Sequence, residues 1–131
     1  MDISCKVIDN IESCQDDQKL IIYDFSGSQI YWQSVVEATV KEIPYFVFVF
    51  DFSNKSSLDF IRSCLSKLKG NRSVKIEKAL ILGNKCDLVN RAVHKEDVER
   101  LAKETGIPVR EVSIKDFEGV NSSFGEFLKI R

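Results

Sequence analysis

Short apolar runs of strand length alternate along this chain with segments of helical period, and this alternation constrains the fold most. Residues 45–50 are apolar at every position, which is typical of a strand covered on both faces. In residues 57–69, leucine and isoleucine recur at steps of three and four, which predicts an amphipathic helix. Strands alternating with helices favour an α/β fold with a largely parallel sheet.

The same patterns predict the order β, β, α, β, α, β, α, β, α. The predicted strands are residues 3–8, 19–23, 45–50, 79–82 and 108–112, and the first is expected to be an edge strand paired with residues 20–23. The predicted helices are residues 33–41, 57–69, 96–104 and a final segment carrying Phe124, Phe127 and Leu128. Gly70 and Gly106 stand where a helix commonly ends.

Length and charge exclude several classes of protein. The chain has 131 residues, which suits one domain spanning residues 1–131. The 19 basic and 20 acidic residues leave a net charge of −1, so no overall field attracts nucleic acid. The longest apolar stretch, residues 45–52, is far shorter than the roughly 20 residues that span a bilayer.

Terminal and cysteine patterns point to a cytoplasmic protein. The N-terminus shows no long apolar stretch of a secretory signal, and the last five residues hold no cysteine that could be prenylated. The four cysteines form no CxxC pair, which favours reduced thiols. We therefore expect no transmembrane segment and no prenylation site.

Polar residues follow the predicted strands, and in a parallel sheet these strand ends meet at one edge, where ligands bind. The sharpest group is Asn84-Lys85-Cys86-Asp87. Guanine presents two neighbouring N–H donors, and the Asp87 carboxylate can accept both, whereas adenine offers no such pair. Asn84 can tie this loop to neighbouring strand ends, and the Lys85 stem can lie along the flat base. The alternative is an ordinary polar loop.

These residues resemble the motifs of small GTPases of the Ras superfamily, especially the Rab group. Gly83-Asn84-Lys85-Cys86-Asp87-Leu88 resembles the guanine-specificity motif of that family, and Ser113-Ile114-Lys115 resembles its Ser-Ala-Lys motif. Asp24-Phe25-Ser26-Gly27 resembles its Asp-x-x-Gly motif. Residues 48–58 match the family's strand-to-helix junction, so the resemblance runs essentially end to end.

The resemblance implies a three-layer, mostly parallel α/β sheet of the P-loop NTPase type. It implies GTP or GDP and Mg²⁺ as ligands, with Asp24 holding the metal through water and Gly27 sensing the γ-phosphate. Asn84, Lys85, Asp87, Ser113, Ile114 and Lys115 would form the guanine site. Effector proteins would be the partners.

Two departures from the family pattern bear on activity. Ser28 stands where most relatives carry the glutamine that orients the attacking water, and Gln29 is one position late; no catalytic residue is assigned, and hydrolysis should be slow. None of the six glycines is followed by lysine and then serine or threonine, so the sequence lacks a phosphate-binding loop. We expect the family's first strand–loop–helix unit to be missing and GTP binding to be weak or absent.

The sequence also leaves open a narrower subfamily and a competing class of protein. Residues 1–27 look most like the Rab-like GTPases of intraflagellar transport, which implies a subunit of a transport particle bound to a small β-sandwich partner, in the cilium or flagellum. The competing class is a non-enzymatic pseudo-GTPase interaction module that binds no nucleotide.

Asp24 and Asp51 could instead form a carboxylate pair for acid–base hydrolysis, although strand ends often carry such residues. Tyr31 and Trp32 could contact a partner or pack in the core.

Overall fold

The computed structural model describes residues 3–8, 20–25, 42–87, 89–113 and 115–128. These residues divide into two compact units. One holds the two N-terminal strands and the end of the last helix, and the other is residues 43–123. One domain over residues 1–131 stays a prediction, and the predicted helix at residues 33–41 lies outside the described residues.

The first unit contains an antiparallel pair of strands, β1 (Ile3–Ile8) and β2 (Leu20–Phe25). Ile3 lies opposite Phe25, and Ile8 lies opposite Leu20. The predicted pairing of the first strand is confirmed. Strand β2 does not stop at Asp24 as predicted: Asp24 lies within it, opposite Ser4, because a polar residue can still pair with the neighbouring strand through its backbone.

The second unit contains the parallel sheet that the alternation predicts. Its strands are β3 (Tyr45–Asp51), β4 (Lys78–Asn84) and β5 (Val109–Glu111), in the order β3-β4-β5. Parallel strands need a crossover connection, and helices supply it between β3 and β4 and between β4 and β5. The α/β fold with a parallel sheet is therefore confirmed.

Three helices follow the predicted pattern closely. They are α1 (Ser56–Lys69), α2 (Lys95–Thr105) and α3 (Phe117–Leu128). Gly106 ends α2 in the left-handed conformation, with φ of 69°, which glycine adopts without the steric cost of a Cβ. Gly70 also ends its helix, but with φ of −77°. The final helix begins earlier than its apolar residues alone suggested.

The junction between β3 and α1 is closed by short-range hydrogen bonds. The Asp51 carboxylate accepts the Ser53 N–H at 2.8 Å and the Ser53 hydroxyl at 2.7 Å. The Asp51 N–H in turn donates to the Ser57 hydroxyl oxygen at 3.1 Å. Asn54 accepts both the N–H and the hydroxyl of Ser56 at 3.1 and 2.6 Å. The bond to Asn54 satisfies the Ser56 N–H, one of the backbone donors that the first helical turn leaves without an intrahelical partner, and the other bonds close the turn that leads into the helix.

The core of the second unit lies between the sheet and the helices. Its buried members are Phe50, Phe52, Leu58, Ile61, Leu65, Ile81, Val93 and Leu101. The rings of Phe50 and Phe52 meet edge to face with centroids 5.0 Å apart, a favourable geometry for aromatic pairs. A Cβ at Gly83 would lie 2.7 Å from the Phe52 ring, so these two rings require glycine there.

One burial expectation is wrong. The wholly apolar run of β3 predicted a strand covered on both faces, but Val49 exposes 59% of its surface and Phe50 only 1%. Alternate side chains of a strand point to opposite faces, so burial at Phe50 does not require burial at Val49. Composition alone could not distinguish the two faces.

Candidate functional site

The candidate site lies at the carboxyl end of the parallel sheet. Asp51 pairs with Asn84 across β3 and β4, and Gly83 pairs with Glu111 across β4 and β5. This register brings the two polar segments that follow β4 and β5 to the same edge. The loop that begins at Lys85 therefore lies beside the segment that begins at Val112.

Backbone hydrogen bonds join these segments into one frame. The Val112 N–H donates to the Gly83 carbonyl at 2.7 Å, and the Cys86 N–H donates back to the Val112 carbonyl at 3.1 Å. On the other side, the Phe52 N–H donates to the Asn84 carbonyl at 3.1 Å. Each strand end is thus tied to its neighbour beyond the last regular ladder bond, which restricts where the loop side chains can lie.

Asp87, Ser113 and Lys115 come together at this edge. The Ser113 hydroxyl donates to Asp87 Oδ1 at 2.9 Å, and Lys115 Nζ lies 3.4 Å from Asp87 Oδ2. The same Ser113 hydroxyl oxygen accepts the Lys115 N–H at 3.2 Å. Ser113 is buried, so it is a fixed support, whereas the Lys115 side chain is 81% exposed.

The Asp87 carboxylate is held ionised and remains accessible. The hydrogen bond from Ser113, with further contributions that include the charge of Lys115, lowers the pKa of Asp87 below its ordinary value. Its side chain is 38% exposed. A carboxylate has about four lone-pair positions, and Ser113 and Lys115 occupy only part of them. The remaining positions can accept two parallel N–H donors from a planar ligand.

Asp51 and Lys85 form a second pair at the same edge. Lys85 Nζ lies 2.7 Å from Asp51 Oδ2. Burial raises the pKa of Asp51, but the hydrogen bonds from Lys85 and Ser53, with the charge of Lys85, outweigh burial and bring that pKa to about 2. Lys85 also has φ of 65°, a region that non-glycine residues seldom adopt. The backbone at Lys85 therefore turns sharply between β4 and Asp87.

Arg91 is a residue of this region that the sequence did not indicate. Its guanidinium donates to the Cys86 carbonyl and, at 2.8 Å, to Glu111 Oε1. The same group lies 4.4 Å from the centroid of the Phe52 ring. An arginine four residues after Asp87 is an ordinary loop residue in the sequence, and only the tertiary structure brings it against these three partners.

The structure places the predicted site residues unevenly. Asn84, Lys85, Asp87, Ser113 and Lys115 all lie at one edge of the sheet. Ile114 and Gly27 lie outside the described residues, and for Asp24 only the backbone position in β2 is described. The alternative of an Asp24–Asp51 carboxylate pair stays a prediction, because the Asp24 side chain is not described; Asp51 itself contacts Lys85 and Ser53.

Neither a metal-binding cluster nor a membrane-spanning helix occurs among the described residues. Within the described ranges, no three histidine, cysteine, aspartate or glutamate side chains cluster so as to hold a metal ion. Among the helices described above, none is long and apolar enough to cross a bilayer. The side chains at this sheet edge suit a planar ligand with N–H donors better than a metal ion. One accessible carboxylate stands beside a lysine there, whereas a metal site gathers several oxygen ligands.

Comparison with known proteins gives one matching family and several relatives. The profile of the Ras family matches residues 3–130. Ras-related protein Rab-13 of Bos taurus is 30% identical over 112 residues, which cover 85% of this chain and 54% of that protein. Ras-related protein Rab-26 of Bos taurus is 33% identical over 112 residues, covering 85% of this chain and 43% of that protein.

A human relative aligns over nearly the same number of residues. Ras-related protein Rab-37 of Homo sapiens is 36% identical over 109 residues, which cover 81% of this chain and 47% of that protein. The chain thus spans about half the length of the curated relatives it matches.

Proposed function

Because this chain belongs to the Ras family, we propose that it is a Rab-like guanine-nucleotide-binding protein in which Asp87 recognises the base. The observation that carries the proposal is the half-exposed Asp87 carboxylate, which the buried Ser113 hydroxyl fixes from one side. A planar base with two adjacent N–H groups would complete the carboxylate's hydrogen bonds. Guanine has such a pair, and adenine does not.

The neighbouring residues support the same ligand. Lys115 and Lys85 are exposed or half-exposed beside Asp87 and Asp51, and their aliphatic stems can cover the faces of a flat base. On the side of β3, the Asn84 carbonyl accepts the Phe52 N–H and so holds the start of the loop in place. We propose Ile114 as the remaining member of this guanine site, with Asp24 and Gly27 acting near phosphate and Mg²⁺.

The proposed cellular role is that of a slow switch or assembly subunit in intracellular or intraflagellar trafficking, acting through protein partners in the cytoplasm or cilium. Ser28, in place of a water-orienting glutamine, supports slow hydrolysis. These 131 residues contain no Gly-x-x-x-x-Gly-Lys-Ser/Thr sequence. We therefore propose that this polypeptide by itself binds GTP weakly, since phosphate contacts contribute much of the affinity.

A second candidate function is a pseudo-GTPase interaction module. The absence of a phosphate-binding motif from the sequence favours it, because the scaffold and its base-binding edge can persist without useful nucleotide affinity. The two candidates differ in one property: the first requires the chain to distinguish guanine from adenine, and the second does not.

Base selectivity is the test. Amide resonances of the ¹⁵N-labelled chain would be followed while GMP, AMP or XMP is added to millimolar concentration. We expect GMP alone to shift the resonances of Asp87 and Ser113. In Asp87→Asn, the side-chain amide offers one donor and one acceptor, which matches xanthine, so selectivity should change from GMP to XMP.

Asp59→Asn is the matched control, since Asp59 is an exposed carboxylate on α1 that contacts Arg62. It should leave selectivity for GMP unchanged. Equal responses to GMP and AMP in the unaltered chain would contradict guanine recognition and favour the interaction module.

A further inference from the structure

We propose that Arg91 is a positioning residue for guanine recognition: it fixes the Cys86–Asp87 peptide and so aims the Asp87 carboxylate at the base. This inference rests on the proposed function. Arg91 does not itself need to touch the nucleotide. Three of its contacts carry the inference, and they end on the backbone before Asp87, on β5 and on the core.

The contact with Cys86 is the central one. The Arg91 guanidinium donates to the Cys86 carbonyl, while the Cys86 N–H donates to the Val112 carbonyl at 3.1 Å. Both polar groups of the residue that precedes Asp87 are therefore engaged by fixed partners. Because the Cys86 carbonyl belongs to the peptide plane that leads into Asp87, holding that carbonyl limits rotation of the plane and the direction of the carboxylate.

The second contact joins the two halves of the site. Arg91 Nη1 lies 2.8 Å from Glu111 Oε1, at the end of β5. Two residues later, Ser113 supplies the hydroxyl that donates to Asp87. The guanidinium thus bridges the loop that bears Asp87 and the strand that leads to Ser113. Its planar fork of donors permits two such bonds at once.

The third contact anchors the guanidinium itself. It lies 4.4 Å from the centroid of the Phe52 ring, and Phe52 is fully buried. Backbone bonds hold the loop of Arg91 to the same residue, since the Phe52 carbonyl accepts the N–H groups of Ala92 and Val93 at 2.8 and 3.0 Å. An arginine stacked on a core ring keeps a defined position, unlike one that moves freely in solvent.

Arg62 shows what an ordinary paired arginine looks like in this protein. Its Nε lies 2.9 Å from Glu104 and its Nη1 lies 3.1 Å from Asp59, in a bridge between α1 and α2. Exposed ion pairs of this kind contribute little to stability. Arg91 has a similar exposure and also pairs with a carboxylate, but it adds a backbone carbonyl and an aromatic ring. Arg62 is therefore a matched control for Arg91.

The experiment compares Arg91→Ala, Arg91→Lys, Glu111→Gln and the control Arg62→Ala in the full chain. Three quantities are measured by NMR: the pKa of the Asp87 carboxyl, amide exchange at Cys86, and the ratio of GMP to AMP affinity. If Arg91 aims Asp87, its removal weakens the bond from Ser113, so the pKa of Asp87 rises toward its ordinary value. Amide exchange at Cys86 should quicken roughly ten-fold, as expected for the loss of a charged hydrogen bond.

The variants should fall into a defined order. Arg91→Ala has the full effect, and Arg91→Lys recovers only part of it because an ammonium cannot bridge and stack together. Glu111→Gln keeps an acceptor and has the smallest effect of the three, so it remains informative if Arg91→Ala folds poorly. Arg62→Ala should leave all three quantities unchanged.

An unchanged Asp87 pKa and Cys86 exchange rate in folded Arg91→Ala or Arg91→Lys would overturn the proposal. So would equal changes in Arg62→Ala. Failure of the proposed function is recognised separately, as equal GMP and AMP affinity in the unaltered chain. In that case a raised Asp87 pKa in Arg91→Ala would still support the positioning role, and an unchanged pKa would overturn it.

Discussion

The carboxylates of Asp51 and Asp87 lie at the same edge of the sheet, but they differ in the contacts they make. Asp51, at the end of β3, accepts two hydrogen bonds from Ser53 and holds Lys85 Nζ at 2.7 Å. Asp87, beyond β4, accepts one hydrogen bond from Ser113 and has a looser lysine contact at 3.4 Å. Both are ionised, but these contacts leave more acceptor positions open on Asp87 than on Asp51.

This difference shows that ionisation alone does not identify a binding carboxylate. The pKa of each group is lowered, so either would look like a functional site by that measure. What separates them is the number of partners already supplied by the chain. Asp51 stabilises the turn into α1, and Asp87 is held in place with part of its hydrogen-bonding capacity unused.

The largest effect is expected from a substitution at Gly83, in the strand that supports both Asp51 and Asp87. In Gly83→Ala the new Cβ would lie 2.7 Å from the Phe52 ring, and both Phe50 and Phe52 are buried, so something in the core must shift. Overpacking of this kind costs about 1–3 kcal/mol, so the midpoint of urea unfolding should fall clearly. The lowered pKa values of Asp51 and Asp87 should both rise toward their ordinary values.

Gly125→Ala is the control for that change. Among the described residues, no atom beyond the neighbouring backbone of its own helix lies within 4 Å of the position that a Cβ would take at Gly125, and alanine favours helix over glycine by about 1 kcal/mol. Its unfolding midpoint should therefore stay the same or rise. Equal losses of stability at Gly83 and Gly125 would contradict the packing argument.

The next effect separates the two carboxylates directly. Asp87→Ala removes both acceptors proposed for guanine, and charge-assisted bonds contribute about 1.5–3 kcal/mol each, so GMP affinity should fall at least roughly ten-fold. Asp51→Ala should reduce the unfolding free energy by about 1–2 kcal/mol and change GMP affinity little. Titration of GMP together with urea unfolding measures both, and the opposite assignment of effects would refute the comparison.

The contribution of Asp51 to the unfolding free energy should depend on pH. The pKa of Asp51 is about 2 in the folded chain and about 3.9 in an unfolded one. The stability it contributes is therefore complete above about pH 4 and declines as the pH falls toward 2. Asp51→Asn should show a shallower loss of unfolding free energy between pH 5 and pH 3 in urea titrations. An identical slope in both chains would argue against the Lys85 and Ser53 contacts.

The smallest effects are expected from the two lysines. Lys85→Met keeps an apolar stem but removes the charge 2.7 Å from Asp51, so the pKa of Asp51 should rise. Lys115→Met removes a charge 3.4 Å from Asp87 on a side chain that is 81% exposed, where water screens the pair. The pKa of Asp87 should rise less than that of Asp51 does in Lys85→Met. NMR titration of each carboxyl measures both shifts.

The sequence predicted most of the fold because its periodic signals are strong. Helices α1 and α2 begin and end within one residue of their predicted bounds, since regular apolar spacing and the glycines after them mark both ends. The strands were less well bounded. β3 and β4 continue into Asp51 and Asn84, because a polar residue can still pair with its neighbour through the backbone.

The site was predictable as a group of residues but not as a set of contacts. Asn84, Asp87 and Ser113 stand at strand ends that a parallel sheet must bring together. The engagement of Lys85 by Asp51 depends on the register between β3 and β4 and on the left-handed backbone at Lys85, neither of which has a local sequence signal. The bridge made by Arg91 depends on the loop path after Asp87 in the same way.

The hydrogen bonds at the start of α1 have a consequence for the order of folding. They join residues no more than six positions apart, from Asp51 to Ser57, and loops of about ten residues close in roughly 10–100 ns. The parallel pair of β3 and β4 instead requires Tyr45 to meet Lys78 across the whole intervening helix, a slow step for a chain. The turn can therefore form first and set the direction of α1 before the strand that it must reach has docked.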